Sequence, residues 1–129
     1  MVLTKDQIIA VEDLKTEELE VPEWGGSVIV RTMTGIERDK FEESVFISKG
    51  KDVKANFKNF RAKLCAVCMV DEKGQRLFTD ADIDLLGKKS AKALDTVFTV
   101  AQRLNAIGPK EVEDLTKNLE TDSELSTSS

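Results

Sequence analysis

The stretch Val21-Pro22-Glu23-Trp24-Gly25-Gly26-Ser27-Val28-Ile29-Val30-Arg31-Thr32-Met33-Thr34-Gly35-Ile36-Glu37-Arg38 decides how the chain folds. It reads as the end of a strand, a turn, a second strand and the capped start of a helix. Glu18, Leu19, Glu20 and Val21 alternate polar and apolar, the two-residue period of a half-buried strand. Val28 and Val30 supply a second β-branched run. Gly25 and Gly26 lie between the runs and can take positive φ at a turn, having no Cβ to clash. Pro22 has no N–H to donate, which places it at a strand end or on an edge. Thr34 and Glu37 have capping-box spacing, so the second strand should hand over to a helix there.

Upstream, Thr4 and Gln7 have the same spacing before Ile8, Ile9 and Ala10, which predicts a short N-terminal helix. Glu12 to Glu18 forms an acidic link into the hairpin. Downstream, the helix opened by Thr34 is expected to run to about Ser48, with Ile36, Phe41 and Val45 on one side. Lys49-Gly50-Lys51 would break it, Gly50 suiting a position just past a helix end. The next helix is predicted over Val53 to Val70, because Phe57, Phe60, Leu64, Val67 and Cys68 recur at helical spacing. Asp71-Glu72-Lys73-Gly74 reads as a turn. Arg76-Leu77-Phe78 is the best candidate for a third strand beside the hairpin, since two strands alone are marginal.

Thr79 and Asp82 signal another N-terminus before Ile83, Leu85 and Leu86, with Gly87 ending that short helix. Ser90 then caps the longest helix, whose stripe is Ala91, Leu94, Val97, Phe98, Ala101, Leu104 and Ile107, with Gly108-Pro109 as terminator. A last short helix carries Val112, Leu115 and Leu119. Residues 120–129 hold one large apolar side chain and are expected to be a disordered, acidic, Ser-rich tail. The result is a single α+β domain over residues 1–119, a small antiparallel hairpin or three-stranded sheet packed against four to five α-helices.

Composition narrows the function. With 129 residues the chain can build one good core but not two. Its net charge is −5 and it contains no His, which argues against general nucleic-acid binding and removes the commonest general base and metal ligand. The charge is uneven: residues 1–20 carry two lysines against six acids, residues 111–129 one lysine against six acids, and residues 49–63 six cations against one acid. The basic span reads either as a solvated helix face or as a face for an acidic partner. No apolar run approaches the ~18 residues a membrane helix needs. The opening Met1-Val2-Leu3-Thr4-Lys5-Asp6 lacks a signal-peptide pattern. Two cysteines without such a signal point to free thiols in a reducing compartment, the cytoplasm.

No motif carries chemistry. Cys65-Ala66-Val67-Cys68 has C-x-x-C form, but a structural zinc needs four ligands and one chain offers two cysteines and no His. The pair also lies inside a predicted helix among apolar neighbours, which favours small core residues over a redox pair. Asp80, Asp82 and Asp84 resemble the start of a calcium loop, but the loop positions that require Gly and Glu hold Leu85 and Ala91. Neither nucleotide-binding glycine pattern is present, and no His can activate the serines. No catalytic residue, metal site or cofactor is therefore expected. Trp24, the single Trp, reads either as a lid over the edge of the core or as an anchor for a protein partner.

The blocks Val21-Pro22-Glu23-Trp24-Gly25-Gly26 and Val30-Arg31-Thr32-Met33-Thr34-Gly35-Ile36-Glu37-Arg38 resemble the tail assembly chaperones of long-tailed bacteriophages and related prophages. The opening Leu3 to Ile8, the run Val70 to Phe78 and Ala101-Gln102-Arg103-Leu104-Asn105 are similar too, so the resemblance spans about residues 1–119. It implies a non-enzymatic helper in the host cytoplasm. Such proteins coat the tape-measure protein, help recruit tail-tube subunits and leave before the virion matures. The family often makes a longer frameshifted product. A structural tail or connector protein is the alternative. The resemblance brings no site residues; Trp24, Val112, Leu115 and Leu119 are the candidate partner contacts, and homo-oligomerisation stays open.

Overall fold

The computed structural model describes residues 1–49, 52–55 and 59–107. Helix α1 (Lys5–Ala10) starts at the expected capping box: Gln7 N–H donates to Thr4 Oγ1 at 3.3 Å, and Thr4 N–H to Gln7 Oε1 at 2.9 Å. Strand β1 (Thr16–Val21) then pairs antiparallel with β2 (Gly26–Arg31), Leu19 opposite Val28 and Val21 opposite Gly26. Between them Pro22–Trp24 forms one turn of 3-10 helix that begins with the proline and ends at Gly25, where φ is +71°. Gly26 already belongs to the second strand, so the turn is built from Pro22 to Gly25 rather than from the two glycines. Alternation holds: Leu19 and Val21 turn inward while Glu18 and Glu20 face solvent.

Helix α2 (Gly35–Val45) opens on the second capping box, Glu37 N–H donating to Thr34 Oγ1 at 3.1 Å and Thr34 N–H to Glu37 Oε1 at 2.9 Å. It ends three residues early. Phe46–Lys49 (β3) and Asp52–Ala55 (β4) form an antiparallel hairpin with Lys49 opposite Asp52, in place of the expected helix end and start of another helix. Register explains this: two intervening residues are the commonest hairpin connection, and the β-branched or aromatic Phe46, Ile47 and Val53 suit strands. Ile36 does not share a side with Phe41 and Val45; it is 71% exposed while they are buried. Five residues of helix rotate a side chain by roughly 140° off the starting face.

Helix α3 is shorter than its sequence pattern, spanning Phe60–Cys68 instead of Val53 to Val70. Met69–Val70 (β5) leaves the helix and pairs antiparallel with β2, giving a three-stranded sheet in the order β1-β2-β5. The third strand is thus Met69–Val70, and Arg76 makes only an isolated bridge to Val70. A continuous apolar run such as Leu64 to Val70 fits either a buried helix or a buried strand, and pairing with β2 decides. The turn over Asp71–Gly74 forms as expected, with Asp71 Oδ1 accepting from the Lys73 and Gln75 N–H groups.

Asp80–Asp82 is a 3-10 turn capped by Thr79, leading into α4 (Ile83–Leu86) and α5 (Ala91–Leu104), whose N-cap Ser90 accepts from Ala93 N–H. Helix α5 stops before Gly108-Pro109. Ile107 N–H donates to the Gln102 carbonyl at 2.8 Å and Ala106 N–H to the Arg103 carbonyl at 3.2 Å, a Schellman ending with Ala106 at φ +55° where glycine is usual. Of its predicted stripe, Leu94, Val97 and Ala101 are buried, as is Ile107 beyond the helix end. Phe98 and Leu104 are half-buried, whereas Ala91 is exposed and Ala93 lies inside. Helix α5 packs on β1 and β2 with one part of its surface and on α3 with another. The expected last helix and the tail lie outside the described residues.

Candidate partner-binding surface

Three of the segments that carry the family resemblance, Val30–Arg38, Val70–Phe78 and Ala101–Asn105, meet in space, and they meet as scaffold. Arg31, at the end of β2, makes a two-pronged ion pair with Glu37 of the α2 capping box at 2.7 and 3.0 Å, and also donates to the Gly74 carbonyl at 2.8 Å. Asn105, the buried polar residue of this region, accepts from Met33 N–H at 2.7 Å and donates to the Ala101 carbonyl at 2.8 Å and to Cys68 Sγ at 3.4 Å. Arg38 donates to the Asn105 carbonyl at 2.8 Å. The strand-to-helix link, the end of α5 and the Asp71–Gly74 turn are therefore one hydrogen-bonded unit. Its chemistry is structural: the charged groups direct their hydrogen bonds to one another and to backbone carbonyls.

The cysteines belong to the same interior. Cys65 and Cys68 are free, fully buried and one turn apart on α3. Burial pushes both thiols up to about 12, with the Cys68 thiolate further opposing ionisation of Cys65, while the Asn105 hydrogen bond pulls Cys68 partly back. At neutral pH they stay protonated and shielded, the behaviour of small core side chains. Among the described residues no group of three or more acids, cysteines or histidines could hold a metal ion.

Of the four candidate contact residues, one falls within the described part. Trp24 closes the 3-10 turn at the tip of the β1–β2 hairpin, half-buried and packed against the core. The ring covers the core's edge and leaves part of its surface to solvent. Val112, Leu115 and Leu119 lie outside the described residues.

Another surface has no counterpart among the candidates read from the sequence. Helix α1 buries none of its residues. Ile8 is 57% and Ile9 76% exposed, and Leu3, Val11 and Leu14 beside them are also exposed. The capping box signals that this helix forms but carries no information on what it packs against. The available hint is its length: six residues are too few to bury a full apolar face. Several exposed aliphatic side chains in one stretch of chain are a feature common at protein-association surfaces. Among the described residues no helix is long and apolar enough to cross a membrane.

A family model described as phage tail assembly chaperone matches residues 7–118. In structure the chain is similar to the tail assembly chaperone of bacteriophage HK97, with a TM-score of 0.54 and 16% identity over 77% of this chain and 90% of that one. No curated protein matches the chain in sequence.

Proposed function

The chain is a member of the phage tail assembly chaperone family, and we propose that it covers apolar helical stripes of a tape-measure protein in the host cytoplasm and assists tail-tube assembly without remaining in the virion. The single observation that supports this reading beyond family membership is the α1 arm, whose aliphatic side chains are exposed and find no cover in the described fold. A long tape-measure helix exposes side chains of the same kind, and helix-in-groove contacts would remove both from water. In this reading Trp24, Val112, Leu115 and Leu119 are contacts, and the segment carrying the last three detaches to bind. Its short sequence stripe would be marginal as an isolated helix. The role is positional, with no catalytic step and no cofactor.

The test is co-expression of the full chain with a candidate tape-measure protein, scored for soluble complex, together with a search for the chain in purified particles. A soluble complex and absence from particles support the chaperone reading. A tape measure that precipitates equally with and without the chain overturns it. Recovery of the chain as a stoichiometric part of particles points instead to a structural tail or connector protein. Deletion of residues 109–129 should abolish complex formation and leave unfolding cooperative; loss of the fold would make that segment core.

A further inference from the structure

Two apolar surfaces lie open in the described structure, one convex and one concave. The convex one is the α1 arm. Leu3, Ile8, Ile9, Val11 and Leu14 are all exposed along it, and the helix buries none of its own residues. The concave one is a groove of about 380 Å³ between α2, α3 and the start of α4. The buried Phe41 and Val67 form its floor, and the half-buried Ile83 and exposed Ile36 complete its apolar lining. The two match in size. Helix α1 is six residues, about 9 Å at 1.5 Å per residue, and carries Ile8 and Ile9 side by side. A volume near the lower end for binding pockets, about 300 Å³, takes a few aliphatic side chains rather than a long helix.

Charge matches as well. Within the groove, Glu37 is taken by Arg31 at 2.7 and 3.0 Å, and Asp80 by Arg76 at 3.1 Å. Lys63 donates to the Ser44 carbonyl at 3.1 Å and meets no acid, and Lys40 has no hydrogen bond or ion pair among the described residues. The charge left uncompensated in the groove is therefore two lysines. The arm carries Asp6, Glu12 and Asp13 against Lys5 and Lys15, and none of its three acids has an ion pair among the described residues. Asp6 lies one turn before Ile9, so an acid beside the aliphatic pair would meet a lysine beside the apolar floor.

The arm does not fill its own groove. It joins the fold at Lys15, whose carbonyl accepts from Thr32 N–H at 2.9 Å, and Ile9 and Ile36 both stay open to solvent. An exposed element and a matching unfilled groove in one molecule are what exchange between identical copies requires. We propose that the α1 arm of one copy docks in the α2–α3 groove of a second copy, with Ile8 and Ile9 over Phe41 and Val67 and Asp6 beside Lys40. Reciprocal exchange closes the contact into a pair and covers the arms when no other partner is present. The contact goes beyond the tape-measure reading and does not rest on it.

Sedimentation of the full chain over a concentration series tests this. The chain should form dimers. Two variants should each raise the dimer Kd by at least about tenfold: Ile8→Asp with Ile9→Asp on the arm, and Ile36→Asp with Lys40→Glu in the groove. All four side chains are exposed, so unfolding of either variant should match the unaltered chain. Mixed together, the two variants should form pairs that neither forms alone, because the first keeps an intact groove and the second an intact arm. A chain that stays monomeric throughout, dimers untouched by either variant, or a mixture without pairs overturns the proposal. Cross-linking of Ile9→Cys to Lys40→Cys within single chains would make the arm a lid on its own fold, and overturns it too. A chain that pairs but leaves the tape measure insoluble keeps this inference and removes the chaperone reading; a monomer that keeps the tape measure soluble does the reverse.

Discussion

Two ends of the described chain contrast: the interior joint around Asn105 and the arm that holds α1. At the joint, one buried amide ties Met33 of the strand-to-helix link to Ala101 and Cys68 on two helices. In the arm, a capping box closes a helix that buries nothing. Both carry strong local signals, yet only the first has partners from distant parts of the sequence. The contrast teaches that local hydrogen bonding decides whether an element forms, and burial decides whether it belongs to the fold or to something outside it.

That comparison can be broken by mutation. The largest effect belongs to the interior. Leu64 is fully buried on α3, and Leu64→Ala should cost about 2–5 kcal/mol in denaturant-induced unfolding through lost contacts and the cavity left behind. A smaller loss would mean that the centre of the core is loosely packed. Asn105→Ala comes next. It strands the buried Met33 N–H and should cost about 1–3 kcal/mol, read from the same unfolding curves.

Alkali probes the same interior through the thiols. Each thiol ionises near 9.0 when unfolded and near 12 when folded, so between those pH values the native state holds protons that the unfolded state has released. Stability should therefore be independent of these groups below pH 9 and fall as pH rises from 9 towards 12, by up to about 1.4 kcal/mol per pH unit for each thiol. Thiol labelling of the folded chain at pH 8 should be slow and limited by opening; rapid labelling would place the cysteines at the surface.

The smallest effect on stability sharpens the other side. Ile8→Ser with Ile9→Ser should change unfolding by no more than about 0.5 kcal/mol, since neither side chain is buried. The same double variant should lower the yield of soluble tape-measure complex. A large loss of stability would show that the arm is part of the fold, and an unaltered yield would remove it from the binding surface.

Legibility in the sequence tracks the range of the forces. The capping boxes at Thr4, Thr34 and Thr79, the N-cap Ser90, the hairpin around Pro22 and the core stripe of α5 are all readable, because each depends on residues a few positions apart. Sequence and structure part where the chain has two locally acceptable answers. The Phe46–Ala55 segment reads as helix on either side of a break, because its apolar residues can satisfy a 3.6-residue period as well as a hairpin. Met69 and Val70 continue a helical stripe, yet the edge of β2 claims them. The candidate surface is less legible than the fold. Nothing in Ile8 and Ile9 themselves says that no other part of the described chain covers them.

By itself, then, the sequence determined the α+β class, the caps and the first hairpin, since turn chemistry and period are written in neighbouring residues, and its short blocks carried the resemblance to the family. Tertiary structure alone decided that Met69–Val70 completes the sheet, that Ala106 rather than Gly108 ends α5, and that Arg31, Met33, Glu37, Arg38, Gly74 and Asn105 form one joint. The physical reason is that a hydrogen bond between residues tens of positions apart gains its free energy only when the intervening chain has already packed, and no local pattern records that partner.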